Sequence, residues 1–126
     1  MIDNDAHKQA AVEFLQLIVA GRIDEAYQTH VDPQGKHHNL FYPAGFSALK
    51  QAMLENHAQF PNKQLTVKYV LGDGDLVTVY SHIVLHAGDR GVAAVHLFRF
   101  RSEKIVEMWE CGQPVPLDSP NKDGAF

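Results

Sequence analysis

The sequence predicts an α+β protein in which a curved antiparallel sheet wraps around three N-terminal helices, and three observations predict it. Apolar residues recur at helical spacing through the first 60 residues. From residue 64 onward, β-branched and aromatic residues gather in short runs separated by Gly, Asp and Ser. Helices that precede the strands, instead of alternating with them, collect on one face of an antiparallel sheet. A sheet curled around helices leaves a conical hollow at one end, the concave, mostly apolar shape that small ligands occupy.

The first helix runs from a cap at Asn4 or Asp5 to Ala20, with Ala10, Phe14, Leu17 and Ile18 on its stripe and Gly21 as its stop. A shorter one follows from Ile23 to about His30, with Asp24 and Glu25 at the positive end of its dipole. Asp32-Pro33-Gln34-Gly35 breaks the chain, and residues 36–44 (KHHNLFYPA) read as a loop dense in histidine and aromatic side chains. The third helix spans Phe46 to Phe60, with Ser47 as its cap, Leu49 and Met53 on its stripe and Pro61 ending it; His57 sits at the core edge or surface.

Four strands are then expected: Gln64 to Leu71, with Leu65, Val67 and Tyr69 on one side, then Leu76 to His86, Val92 to Arg101 and Ile105 to Cys111. Gly88-Asp89-Arg90-Gly91 and Ser102-Glu103 fit hairpin turns. Period-2 geometry puts Ala94, His96, Phe98 and Phe100 on one face and Val95, Leu97, Arg99 and Arg101 on the wetter one. By the same rule Val106, Met108 and Glu110 share a face, with Trp109 and Cys111 opposite. The domain is expected over residues 1–112, followed by a Pro-rich arm over 113–126 whose Phe126 folds back over the pocket or onto a partner subunit.

Composition narrows the function. With 126 residues the chain buries about two-thirds of its unfolded surface in one core. A net charge of −4 without a Lys/Arg cluster gives no footprint for nucleic acid or an anionic membrane, and the run Leu15 to Ala20 is too short to span a bilayer. The single Cys111, with no finger or redox spacing, fits a reducing, cytoplasmic setting, and the N-terminal residues lack the basic region of a signal peptide. No phosphate loop or nucleotide fingerprint is present, so no cofactor is implied. His82 and His86 stand about 13 Å apart along a strand, too far to share one metal ion, and no metal site is expected.

The order of elements, together with HHN at 37–39, PAGF at 43–46, GDLVTVYSH at 74–82, VHLFRF at 95–100 and KIVEMWECGQPVP at 104–116, resembles the SnoaL-like branch of the nuclear transport factor 2-like superfamily. The resemblance implies a cone-shaped, cystatin-like α+β barrel, often dimeric through the outer face of its sheet. Polyketide cyclases, ketosteroid isomerases and dehydratases are among its members. His38 and Asn39 match the His-Asn pair of that branch, and His82 its strand-ending histidine. Where an acid/base aspartate is common this chain has His96, and a frequent His-Trp-Asp reads Met108-Trp109-Glu110.

A histidine and a glutamate on the apolar side of adjacent strands form the sharpest chemical signal. His96 is expected to take a proton next to a carbonyl, Glu110 to orient its imidazole, and His82, Tyr80 or His38 to stabilise the enolate. Asn39, Tyr27, Phe41, Tyr42, Phe98 and Met108 complete the lining for a small apolar or carbonyl-containing ligand, while His37 faces solvent. The enzyme expected is a cofactor-free isomerase, aldol cyclase or dehydratase. The alternative is a non-catalytic ligand-binding protein or dimeric scaffold, in which His96 and Glu110 satisfy each other and hold two strands in register.

Overall fold

Three amphipathic helices need one continuous apolar surface to cover, and the second half of the chain supplies it as a twisted sheet. The computed structural model describes residues 4–126; residues 1–3 of the expected domain span lie outside the described residues. The helices are α1 (Asn4–Val19), α2 (Ile23–His30) and α3 (Phe46–Gln59). The strands are β1 (Val31–His37), β2 (Gln64–Asp73), β3 (Leu76–Val84), β4 (Val92–Arg101) and β5 (Lys104–Pro114), in the order β1-β5-β4-β3-β2. Helices on one face of a curved sheet confirm the α+β reading. The sheet is mixed, however, because β1 lies parallel to β5 while the other neighbours are antiparallel.

The core forms where helix stripes meet the inward parity of the strands. Ala11, Phe14, Leu15 and Ile18 of α1, Ile23, Ala26 and Tyr27 of α2, and Phe46 and Leu49 of α3 are buried against Val77, Val79, Phe98, Phe100, Ile105 and Met108. Phe14 meets Phe98 edge-on with ring centroids 5.9 Å apart, a geometry that puts a ring edge against a π face. His30 Nε2 donates to Glu13 at 2.7 Å and ties α2 to α1. Gly21, at φ +83, stops α1, and a Cβ there would lie 2.3 Å from the His57 ring, so the turn needs glycine twice over. Gly45, not Ser47, occupies the N-cap position of α3, without a side-chain cap.

The sequence reading misses β1. Asp32-Pro33-Gln34-Gly35 reads as a break, yet the segment pairs with β5 through Val31↔Ile105 and, after a register shift, Lys36↔Glu107 and His37↔Met108. A proline fits because β1 is the sheet edge and the shift removes the need for its amide. In β2 a shift between Val67 and Tyr69 turns Tyr69 outward, to 63% exposure, away from its expected neighbours Leu65 and Val67. The arm is shorter than expected, since Gln113 and Pro114 continue β5 beyond the end of β1. Its remainder lies on the outer face of the sheet, where the Tyr80 hydroxyl donates to the Ala125 carbonyl at 2.6 Å and Phe126 packs on His82.

Candidate active site

Two short-range devices place Glu110. Ser102 and Glu103, at φ 48 and 68, form the two-residue left-handed turn that matches strand twist, and Arg101↔Lys104 and Phe100↔Ile105 close over it. Without further adjustment that count would set His96 opposite Trp109. A one-residue bulge at Val106 shifts the ladder to Arg99↔Glu107, Phe98↔Met108 and His96↔Glu110. Ile105 therefore takes the core position expected of Val106. The bulge is the reason a carboxylate, and not an indole, stands beside the imidazole.

His96 is 4% exposed, with its ring stacked 6.1 Å from Phe98, and its Nε2 donates to Glu110 Oε2 at 2.8 Å. Asn39 Nδ2 donates to the other oxygen, Oε1, at 3.3 Å. Glu110 itself is 41% exposed, so it is the member of the pair that reaches open space. The His96 hydrogen bond holds its carboxyl below the usual range, against burial, with the charge of His96 adding in the same direction.

Above Glu110 is a cavity of about 200 Å³ between the helices and the open end of the sheet. Leu49, Met53, Leu65 and Ile83 give it apolar walls, and Asn39, Tyr42, Lys63 and Glu110 give it polar groups. None of three larger hollows includes the pair: one of about 400 Å³ lies under the C-terminal arm, one of about 640 Å³ is an open groove beside α2 and α3, and one of about 470 Å³ is a shallow depression between the end of α1 and the start of β2, with Lys63 also on its rim.

The structure brings His96, Glu110, Asn39 and Tyr42 together and separates the rest of the expected set. Phe98 and Met108 lie beneath the site as core. Tyr27 lines the groove beside α2, its hydroxyl donating to Met53 Sδ at 3.2 Å, and burial pushes its phenol pKa up. Phe41 is 90% exposed at the loop tip. Tyr80 and His82 point out of the opposite face, because a residue directly across the ladder shares its partner's face: Val79, rather than Ile83 or Val84, stands opposite the inward His96, so odd-numbered β3 residues face the core and even-numbered ones face out. His82 Nε2 donates to the Arg90 carbonyl at 2.8 Å, and Asp89 accepts the Leu85 and Gly91 amides that close this connection.

The two adjacent histidines exchange their expected roles. His37 is buried: its Nε2 donates to the Pro43 carbonyl at 2.8 Å while its Nδ1 accepts the Asn39 amide at 3.1 Å, fixing one tautomer and the turn that carries Asn39. His38 faces outward, where its Nε2 donates to Glu107 at 2.6 Å and its ring stacks 4.9 Å from Trp109. That bond holds the Glu107 carboxyl below its usual range. The parity of β1 decides this, and a segment read as a loop has no parity. Lys63 and Ser81 are also absent from the sequence reading. Ser81 is wholly buried on the inner face, and among the described residues neither its Oγ nor His96 Nδ1 has a partner. Among the described residues no three His, Cys, Asp or Glu side chains converge to hold a metal ion, and no helix is long and apolar enough to cross a membrane.

A helix-lined, curved sheet with an acid at its open end defines a cone-shaped small-cavity protein, and solved structures agree. The chain has the nuclear transport factor 2-like fold. It is similar to a SnoaL-like protein of unknown function from Burkholderia thailandensis (TM-score 0.74, 15% identity, covering 90% of this chain and 99% of that one). It is also similar to a candidate ketosteroid isomerase from Kribbella flavida (TM-score 0.71, 16% identity, 96% and 87% covered). A candidate polyketide cyclase from Bacillus cereus is a third (TM-score 0.70, 23% identity, 82% and 72% covered). No protein-family model matches the chain, and no curated protein is similar to it by sequence.

Proposed function

We propose that the cavity binds a small carbonyl compound and that Glu110 moves a proton on the carbon beside that carbonyl, without a cofactor. One observation carries this reading: a carboxylate fixed by two donors, His96 on one oxygen and Asn39 on the other, stands in the wall of an apolar cavity. Hydrogen bonding keeps the group ionised at neutral pH and therefore able to accept a proton. His96, sealed behind it, is a positioning residue and not the base. Tyr42, on the same wall, supplies a hydroxyl toward the oxygen that gains charge.

The volume limits the substrate. About 200 Å³ is below the roughly 300–1,000 Å³ of drug-sized sites. It exceeds the roughly 150 Å³ that accommodates benzene, so a single ring or a short chain fits and a fused four-ring skeleton does not. A binding-only reading is favoured by one fact, that His96 and Glu110 sit directly opposite across β4 and β5 and hold these strands in register. The test is α-proton exchange of small cyclic and aryl ketones in D2O followed by NMR. Wild-type protein is expected to accelerate exchange and Glu110→Gln to lose roughly 10²- to 10⁴-fold. Ligand-induced thermal stabilisation without exchange in either protein would instead establish the binding-only reading.

A further inference from the structure

Lys63 occupies the short link between α3 and β2 and is the one lysine in the wall of the Glu110 cavity. Its Nζ donates to the Asn56 side-chain carbonyl on the last turn of α3. Among the described residues it makes no ion pair, whereas Lys8, Lys36 and Lys50 each face a carboxylate. Lys104 and Lys122 donate to backbone carbonyls, and Lys68 lies over the Phe126 ring. Lys63 thus shares an apolar-walled cavity with Glu110 while its amine is held by a neutral amide and not by a carboxylate, unlike Lys50, which meets Asp24 in the groove beside α2.

An ammonium in such a place has lost water and gained only a neutral amide. Burial lowers the Lys63 pKa, which raises the fraction of free amine at neutral pH. A lysine amine desolvated in an apolar pocket is a usual form of the nucleophile that attacks carbonyl carbon.

We propose that Lys63 condenses reversibly with an aldehyde or ketone held in the cavity, forming an imine, with Glu110 carrying the protons. The inference rests on the cavity of the reading above and not on its enolate. The Nζ lone pair forms a C–N bond to the carbonyl carbon as the C=O π pair moves to oxygen, which takes up a proton while nitrogen releases one. The carbinolamine hydroxyl then leaves as water after a second proton reaches it, and the nitrogen lone pair completes C=N as its other proton departs. Amine and carbonyl give imine and water, with no change of oxidation state. Glu110 cycles between carboxylate and carboxyl and is restored.

The experiment uses the full chain, benzaldehyde and cyanoborohydride at neutral pH, with peptide mapping by mass spectrometry over time. Reductive trapping is expected at Lys63 at least tenfold faster than at Lys8, Lys36 or Lys122. It should disappear from that peptide in Lys63→Met, with the other lysines labelled as before, and Glu110→Gln should slow it tenfold or more. Lys63→Arg, which keeps the charge and the Asn56 contact, separates loss of the amine from loss of folding; it too is expected to take no label. Uniform labelling of the lysines, or a Lys63 rate indifferent to Glu110→Gln, overturns the proposal. Selective labelling in a protein that exchanges no ketone α-protons overturns the enolate reading alone. Glu110-dependent exchange with uniform labelling overturns this inference alone.

Discussion

Glu110→Gln separates chemistry from architecture, because the two effects differ greatly in size. The amide keeps an acceptor for His96 Nε2 and nearly the same volume, so packing is unchanged; the charge is lost, together with the exposed hydrogen bond from Asn39, because an NH2 group cannot accept. A hydrogen bond to a charged group contributes about 1.5–3 kcal/mol and a neutral one about 0.5–1.5, a difference near 1 kcal/mol. Glu110 is 41% exposed, and solvent screening reduces the expected cost at pH 7 to roughly 0.5 kcal/mol. Loss of the acid/base group, by contrast, removes roughly 10²- to 10⁴-fold in proton exchange.

The pH dependence has a definite sign. The folded Glu110 carboxyl titrates below its ordinary value of about 4.3, so its stabilisation is complete above that value and is lost as pH falls through the lower folded one. Glutamine cannot titrate, and the gap between the two proteins, constant at neutral pH, should close as pH falls from about 4.3 through the lower folded value. Urea unfolding across that range measures the gap. A gap that is independent of pH, or a loss of several kcal/mol at pH 7 with exchange intact, would refute the reasoning and make the pair a register clamp.

Three further outcomes follow from particular contacts. Replacing Ser102-Glu103 by Asn-Gly relieves two non-glycine residues at φ 48 and 68 and should stabilise the fold by about 1–2 kcal/mol; an unchanged urea midpoint would contradict the left-handed turn. Ser81→Ala removes a buried hydroxyl without a partner and should be neutral or stabilising by up to about 1 kcal/mol, whereas a loss larger than that in thermal unfolding would reveal a partner for it. Removing residues 117–126 strips Phe126 from Tyr80, His82 and Lys68, and should cost roughly 1 kcal/mol and shift the His82 ring resonances. Ligand affinity and exchange should stay within about twofold, since the arm lies on the far side of the sheet from the cavity; a larger loss would place it in the site.

Much of the scaffold was legible because it is written in local periods. Helical spacing located α1, α2 and α3 to within a residue, and alternation along β4 put His96 with the phenylalanines and the arginines outside, as the burial of that strand confirms. The outward parity of Trp109 was legible for the same reason, but its neighbours were not: it stacks on His38 and lies 5.9 Å from the Arg99 guanidinium, on a face partly taken by the chain's own arm. What surrounds an outward side chain depends on strands distant in sequence.

By itself, then, the sequence determined the three helices, four of the five strands and which face of β4 is wet, since each follows from residues within one turn or one pleat of each other. Tertiary structure alone decided that β1 exists, because a strand interrupted by Pro33 and Gly35 is stabilised by pairing with β5 some 70 residues away. It thereby decided which of His37 and His38 is buried. It also decided, through a single extra residue at Val106, that His96 stands directly opposite Glu110 and not Trp109, and, through a β3–β4 register that sets Val79 opposite His96, that His82 and Tyr80 stand outside. A one-residue change of register reverses every side chain beyond it, and a bulge or a loop length leaves no periodic mark in the chain.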